Sequence, residues 1–290
     1  MERIGIIGTG SMGSMLVDAL IASKALSPSQ IIVTNRTHAK AEALAARHPG
    51  LIALASNVEL AQEAQWLLLC IKPLEYSHVL QELQRVLTPE HLLITITSPI
   101  QLEHLQSLVP CPVARVVPSI TNAACSGVSL CQFGSRITPE SRERILTLFS
   151  AISHPIEVPE QYLRVSSDIS SCGPAFLSYI LRNMIHDAVE ETGISAEAAS
   201  HLAMQMVIGM GELFKKEMFS LASLEQRVCV PGGVTGEGLI ALQQGIPGVF
   251  RQVYQRTHAK FAEDLELVKI QLQTVPPDSL SSPSSAGSGT

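Results

Sequence analysis

Cys229-Val230-Pro231-Gly232-Gly233-Val234-Thr235 is a glycine-rich turn running straight into a helix-forming stretch, 236–244. Such a turn leaves backbone N–H groups unpaired at the positive end of a helix dipole, where a small carboxylate or phosphate can be held. Near the other end of the chain, Gly8-Thr9-Gly10-Ser11-Met12-Gly13 follows an apolar run and opens a second helix. There the first glycine permits a tight turn, the second lets a pyrophosphate approach the backbone, and the third allows close helix–strand packing. Without a ligand this would be only a tight strand-to-helix turn, but its place at the first such junction favours nucleotide binding. The two turns together imply redox chemistry, with a dinucleotide at the front and an acidic substrate held from the rear.

The end of the second expected strand carries the cofactor preference. An acidic residue there would accept hydrogen bonds from a ribose 2′-hydroxyl. This chain has Asn35-Arg36-Thr37 instead, with Lys40 one helical turn on. Arg36 offers a planar fork to a 2′-phosphate and Thr37 a hydroxyl at a helix start, so NADP(H) is expected over NAD(H). The alternative is a solvated surface arginine. Cys70-Ile71-Lys72-Pro73 ends another strand at the carboxyl edge of the sheet, where ligands sit in doubly wound folds. Lys72 is there either a surface lysine or a cofactor-side group.

Ser170-Ser171-Cys172-Gly173-Pro174-Ala175 reads as a helix start, with small residues ahead of a proline at the first helical position. Its other reading is that these side chains, Cys172 among them, leave room for a flat substrate ring. None of the nine histidines pairs with a carboxylate at ligand spacing, so no metal is expected. Asp187, Glu190 and Glu191 read as a solvated or partner-facing helix surface. No Ser/His/Asp or Cys/His grouping stands out, which suits hydride transfer because that reaction depends on positioning more than on a strong base.

These groups are positioned by two kinds of element. In the first half, short β-type runs at 3–7, 31–35, 66–71, 92–96, 113–117 and 128–133 alternate with amphipathic stretches. The stretches are 12–23, 38–48, 58–63, 75–86 and 102–108. Thr37, Asn57 and Thr138 read as helix starts. The alternation predicts an α/β domain, a Rossmann-type doubly wound parallel sheet. Beyond Pro159 the pattern turns helical, at 173–192, 196–217, 222–229, 235–244 and 249–271. Several of these helices are apolar around much of their circumference, which points to a partner subunit, or else to packing on the chain's own first domain. The expected organisation is 1–159 for the nucleotide-binding domain, 160–273 for the helical dimerisation and substrate domain, and 274–290 for a Pro/Ser/Gly-rich disordered tail.

Composition narrows the remaining classes. A net charge of −6, 4% aromatics and no basic run argue against a nucleic-acid surface. Apolar stretches are too short and interrupted for a membrane span, and no signal peptide is read ahead of the first strand. Six cysteines without CxxC pairing read as buried thiols in a reducing cytoplasm.

In this order the pieces resemble the pyrroline-5-carboxylate reductase family over about residues 2–271, and within it the late competence (ComER) branch. The likeness rests on Thr34-Asn35-Arg36-Thr37, on the run Arg164-Val165-Ser166-Ser167-Asp168-Ile169-Ser170-Ser171-Cys172-Gly173-Pro174-Ala175-Phe176, and on Gly232-Gly233-Val234-Thr235-Gly236-Glu237-Gly238. The resemblance implies NAD(P)H-dependent reduction of the cyclic imine 1-pyrroline-5-carboxylate to L-proline by a homodimer or larger homo-oligomer. It implies that Gly8 to Gly13 cradle the pyrophosphate, that Asn35, Arg36 and Thr37 surround the 2′-phosphate, and that Asn57 touches the adenosine. Ile71, Lys72 and Pro73 would line the nicotinamide half. Gly233 and Val234 would offer N–H groups to the substrate carboxylate, and Thr235 would hydrogen-bond the ring nitrogen. The chain departs from the family pattern at Val117-Pro118-Ser119-Ile120-Thr121, at Ser171-Cys172, at Val230 and at Thr97-Ser98-Pro99. Those departures keep open a nucleotide-binding regulator with weak catalysis. A β-hydroxyacid dehydrogenase is disfavoured, because that chemistry uses a lysine early in the second domain and none occurs between Lys72 and Lys215.

Overall fold

The computed structural model describes residues 3–275, and structural statements concern those residues. The chain opens with β1 (Ile4–Ile7), α1 (Ser11–Ala22), β2 (Ile31–Thr34), α2 (His38–Arg47), β3 (Ile52–Ala53) and α3 (Asn57–Glu63). It continues through β4 (Trp66–Leu69), α4 (Tyr76–Leu83), β5 (Leu92–Thr95), α5 (Leu102–Leu108) and β6 (Val113–Val117). Next come β7 (Val128–Phe133), α6 (Pro139–Ser150), β8 (His154–Glu157) and α7 (Leu163–Ser167). Helices α8 (Gly173–Thr192), α9 (Ala196–Lys215), α10 (Leu221–Val228), α11 (Val234–Gly245) and α12 (Val249–Leu272) follow.

Two compact units result: residues up to Cys172 together with the segment from Thr257 on, and Gly173–Arg256. The first is built on one sheet ordered β3-β2-β1-β4-β5-β6-β7-β8. Pairing is parallel from β3 across to β6, antiparallel between β6 and β7, and parallel between β7 and β8. Buried apolar runs such as Trp66–Leu69 and Leu92–Thr95 have the composition that a sheet covered on both faces requires. On one face Ile4, Ile6 and Leu68 meet Leu16, Leu20, Leu44 and Phe149 of α1, α2 and α6. On the other, Ile7, Leu67 and Leu69 meet Leu60, Tyr76, Leu80 and Leu105 of α3, α4 and α5, with Val268 and Leu272 from the last turns of α12. This is a doubly wound Rossmann-type α/β domain. The strand order reverses between β1 and β4, the place where such sheets open a crevice.

The structure adds two strands to the six expected. β3 has only two residues, and β8 includes a proline and is mostly exposed, so neither carries a readable apolar period. Asn57 is the first residue of α3 and not its cap: Ser56 caps it, accepting from the Glu59 N–H at 3.4 Å. Thr138 caps α6 as expected, accepting from the Ser141 N–H at 3.1 Å. Of the six cysteines only Cys111 and Cys131 are buried, Cys125 is exposed, and none forms a disulfide. Thr274 and Val275 close the described chain, with Val275 buried among the α12 contacts; the remainder of the expected tail, 276–290, lies outside the described residues.

α8 takes the bounds expected for it, Gly173–Thr192, but Ser170–Cys172 ahead of it are not a cap. α7 passes into a π-helical turn, Asp168–Cys172, and that turn into α8. Pro174 has no N–H to donate to the carbonyl four residues back, and interior prolines widen or bend a helix for that reason. That carbonyl, of Ser170, accepts from the Ser119 hydroxyl at 2.8 Å instead. Beneath the turn, the fully buried Asp168 carboxylate accepts from Arg164 at 2.8 Å and from the Thr257 hydroxyl at 2.7 Å. The Arg164 guanidinium also stacks over Phe261, 5.5 Å from its centroid. Asp168→Ala strands a nearly buried arginine and is expected to cost about 3–5 kcal/mol in denaturant unfolding, whereas Arg164→Leu with Asp168→Leu recovers most of that loss. A double variant destabilised by the sum of the Arg164→Leu and Asp168→Leu single costs would show that the pair carries no coupling.

Candidate active site

The crevice between the β1 and β4 exits is a cleft of about 560 Å³. Gly8 turns there with φ +102°, and a Cβ on it would collide with the Cys70 carbonyl. Gly13 lies so close under the turn that a Cβ would strike the Gly8 carbonyl, whereas nothing lies within 4 Å of the Cβ position of Gly10. Gly10 caps α1 without a side-chain bond, and the first turn carries no acid. The leading N–H groups of α1 therefore present their partial positive charge to open space. Thr9 keeps a buried hydroxyl oxygen that has no hydrogen-bond partner. An uncapped helix end, an open glycine and an orphan hydroxyl form a donor set that fits a diphosphate.

Asn35 is committed to the scaffold: its Oδ1 accepts from the Thr9 N–H at 3.1 Å and its amide donates to the Thr37 carbonyl at 3.1 Å. Asn57 is likewise engaged at both ends, accepting from Thr34 at 2.7 Å and donating to Glu82 at 2.8 Å. Arg36 is 82% exposed and reaches Glu75 at 2.7 Å. Thr37 starts α2 without a side-chain capping bond, leaving its hydroxyl available. Of the residues expected here, Gly8, Gly10, Asn35, Arg36, Thr37, Asn57, Cys70, Ile71 and Lys72 line the cleft. Thr9, Ser11, Met12, Gly13 and Pro73 are not among its lining residues. Desolvation by the packing around the half-buried Cys70 sulfur pushes its thiol up to about 12, so at neutral pH it is an uncharged packing group.

One wall was missed from the sequence. Glu75, His78 and Glu82 line the cleft from α4 and the turn before it. Their spacing of three and four residues would have shown them on one helix face. Arg115 was missed as well, although a lone arginine inside Val113–Val117 signals a buried charge. It is fully buried, bonds Gln132, and pairs with Glu160 at 2.9 Å. Burial holds its pKa below the usual arginine range, against the pull of Glu160. Beside it across the sheet, the Tyr76 hydroxyl meets Thr95 at 2.6 Å and Thr97 at 3.1 Å, and Thr97 donates to the Ile71 carbonyl at 3.2 Å. This buried row fixes the strand exits on the cleft's flank. Next to it, two family departures are stitched together: Ser119 donates to the Ser170 carbonyl at 2.8 Å and Ser171 to the Pro118 carbonyl at 3.1 Å. Cys172 ends that turn, its sulfur 3.4 Å from Arg164.

In the second unit, Gly232 takes φ +73° and Gly233 caps α11 with no side-chain bond. The Gly233 N–H is already donated to the Val230 carbonyl at 3.0 Å. The free donors at this helix end are therefore on Val234 and Thr235, a register one residue later than expected. Val234 is 89% exposed, and Thr235 lies in the first turn with Glu237. Only Ala199 and Ala203 are buried between Gly173 and Arg256, whereas Leu177, Tyr179, Met184, Leu202 and Met204 are exposed. Among the described residues no group of three His, Cys, Asp or Glu could hold a metal ion, and no helix is long and apolar enough to cross a membrane.

Comparison with known proteins agrees with both units. Residues 3–99 match the family described as NADP oxidoreductase coenzyme F420-dependent, and residues 160–264 match pyrroline-5-carboxylate reductase dimerisation. Pyrroline-5-carboxylate reductase 3 of Bacillus subtilis is 28% identical, across 90% of this chain and 96% of its own. Two solved folds superpose closely. One is a pyrroline-5-carboxylate reductase from Coxiella burnetii, with a TM-score of 0.78, 23% identity and coverage of 93% and 98% of the two chains. The other is pyrroline carboxylate reductase of Plasmodium falciparum with NADP bound, at 0.77, 21%, 92% and 98%. ComE operon protein 4 of Bacillus subtilis is 44% identical over 93% of this chain and 98% of its own. On this likeness the chain belongs to the pyrroline-5-carboxylate reductase family, in its late competence branch.

Proposed function

We propose that the chain is an NADP(H)-preferring imine reductase that converts 1-pyrroline-5-carboxylate, or a close analogue, to L-proline. The observation that carries this reading is the uncapped α1 end facing an open cleft that Arg36 and Lys40 also line. Support comes from the Plasmodium falciparum relative, which was solved with NADP bound. When bound, a reduced nicotinamide supplies a hydride. The chain's own contribution is to hold and orient. The Gly10–Met12 backbone and Thr9 grip the diphosphate, while Arg36 and Thr37 meet the 2′-phosphate. Cys70, Ile71, Lys72 and Pro73 form the wall on the nicotinamide side.

For the substrate, the Val234 and Thr235 N–H groups at the α11 end take the carboxylate, with Gly232 and Gly233 shaping the turn. The Thr235 hydroxyl hydrogen-bonds the ring nitrogen, which is more easily reduced at its neighbouring carbon when protonated. Cys172 and its small neighbours leave room for the ring. Acceleration then comes from alignment and fixed dipoles.

A homodimer or larger assembly is part of the proposal. A unit of this kind with two buried residues needs an external apolar surface, and a second copy of the matched dimerisation region supplies one. Six cysteines without a disulfide suit a reducing cytoplasm. One observation favours a second reading, a nucleotide-binding regulator with little turnover: the Ser119 and Ser171 hydroxyls, at altered family positions, are committed to backbone carbonyls.

Oxidation of NADPH by purified protein, followed at 340 nm with pyrroline-5-carboxylate, is expected to show turnover; tight NADPH binding with none selects the regulator. Thr235→Ala is expected to lower kcat/KM by about one to two decades, the scale of one lost hydrogen bond in a dry site. Unchanged kinetics in that variant would remove Thr235 from the mechanism. In light scattering, Leu202→Glu with Met206→Glu shifts the protein to a smaller species; an unshifted mass places the interface elsewhere.

A further inference from the structure

We propose that Glu75 sets the strength of the cofactor preference by competing with a 2′-phosphate for Arg36. The inference rests on the nucleotide reading above and concerns a residue that reading does not use. Arg36 leaves the end of β2, and Glu75 closes the single 3-10 turn Pro73–Glu75 after β4; both line the cleft, and their side chains meet at 2.7 Å. The carboxylate is the anchored partner. Its side chain is 34% exposed against 82% for Arg36, and its own N–H is tied to the Lys72 carbonyl at 2.9 Å. Pro73 further restricts the turn that carries it.

The charges around the pair leave Glu75 as the acid that faces Arg36. The cleft presents Arg36, Lys40 and Lys72 as cations and Glu75 and Glu82 as anions, with His38 and His78 at its margins. Glu82 is engaged by Asn57 at 2.8 Å and by His78 at 3.2 Å. His38 lies 3.4 Å from Glu42, an acid that does not line the cleft. A 2′-phosphate that uses the Arg36 fork must displace Glu75 and then sit beside its negative charge. A 2′-hydroxyl imposes neither cost, because the Arg36–Glu75 pair can stay closed above it. Glu75 therefore narrows the gap between the two cofactors that Arg36 alone would open. A purely structural acid at the start of α4 would steady the helix dipole and leave the ratio of affinities alone.

The test is a thermodynamic cycle on the full-length protein. NADPH and NADH are titrated by nicotinamide fluorescence, at low and at physiological salt, against wild type, Glu75→Gln, Arg36→Gln and the double variant. Glu75→Gln is expected to raise the ratio Kd(NADH)/Kd(NADPH) about two- to fivefold, the range of one exposed charge pair, with a smaller gain at higher salt. In the Arg36→Gln background most of that gain disappears. Equal changes in both affinities, or the same gain with and without Arg36, would overturn the role of Glu75 while leaving nucleotide binding intact. Failure of the wild type to bind either nucleotide would overturn the cofactor reading, and this inference with it.

Discussion

A helix that begins with nothing of its own to cap it is the constraint on which the first unit turns. α1 can start directly off β1 only because Gly8 accepts a left-handed φ and Gly13 has no side chain to strike the turn beneath it. The leading amides are then left facing open space, and the surrounding sequence adds no carboxylate to neutralise them. Unpaired amides at a positive dipole end are costly unless water or an anion reaches them, so the fold holds a binding preference in its backbone. The rest of the cleft elaborates that preference. Asn35 ties β2 to the turn, Asn57 is fixed between Thr34 and Glu82, and the Tyr76–Thr95–Thr97 row braces the strand exits.

The elements that were readable in the sequence are those whose signal is local. β1, β2, β4, β5 and β6 are apolar runs with turn residues on either side, and the glycine fingerprint sits at a strand–helix junction. What was not readable depended on tertiary contact. β3 and β8 exist because a neighbour offers them hydrogen bonds, since neither has an apolar period of its own. The cap expected ahead of Pro174 is instead a π turn, because the carbonyl orphaned by that proline has the Ser119 hydroxyl within reach, fifty-one residues earlier in the chain. Glu75, His78 and Glu82 went unnoticed because acids and histidines on a helix usually face solvent; only the fold turns that face toward Arg36.

At α11 the glycine turn leaves its open donors one residue later than the sequence suggests, because the tight turn takes the Gly233 N–H for itself. The second unit is otherwise defined by what it leaves uncovered. Its apolar helix faces are legible as an excess of Leu, Ile and Met, and the structure shows them exposed in a single chain. The family's dimerisation match over 160–264 gives that excess a physical purpose. Two departures from the family pattern are coupled, Ser119 and Ser171 holding one another's loops, above a turn that Asp168 and Arg164 brace from below.

The central claim, that the bare amides of α1 receive a diphosphate, is tested most directly by amide chemical shifts. Titration of isotopically labelled protein with NADPH should move the Gly10, Ser11 and Met12 N–H resonances most strongly, because anion acceptance at an uncapped helix end acts on those protons first. A saturating titration in which those three amides stay fixed while resonances elsewhere move would contradict the account.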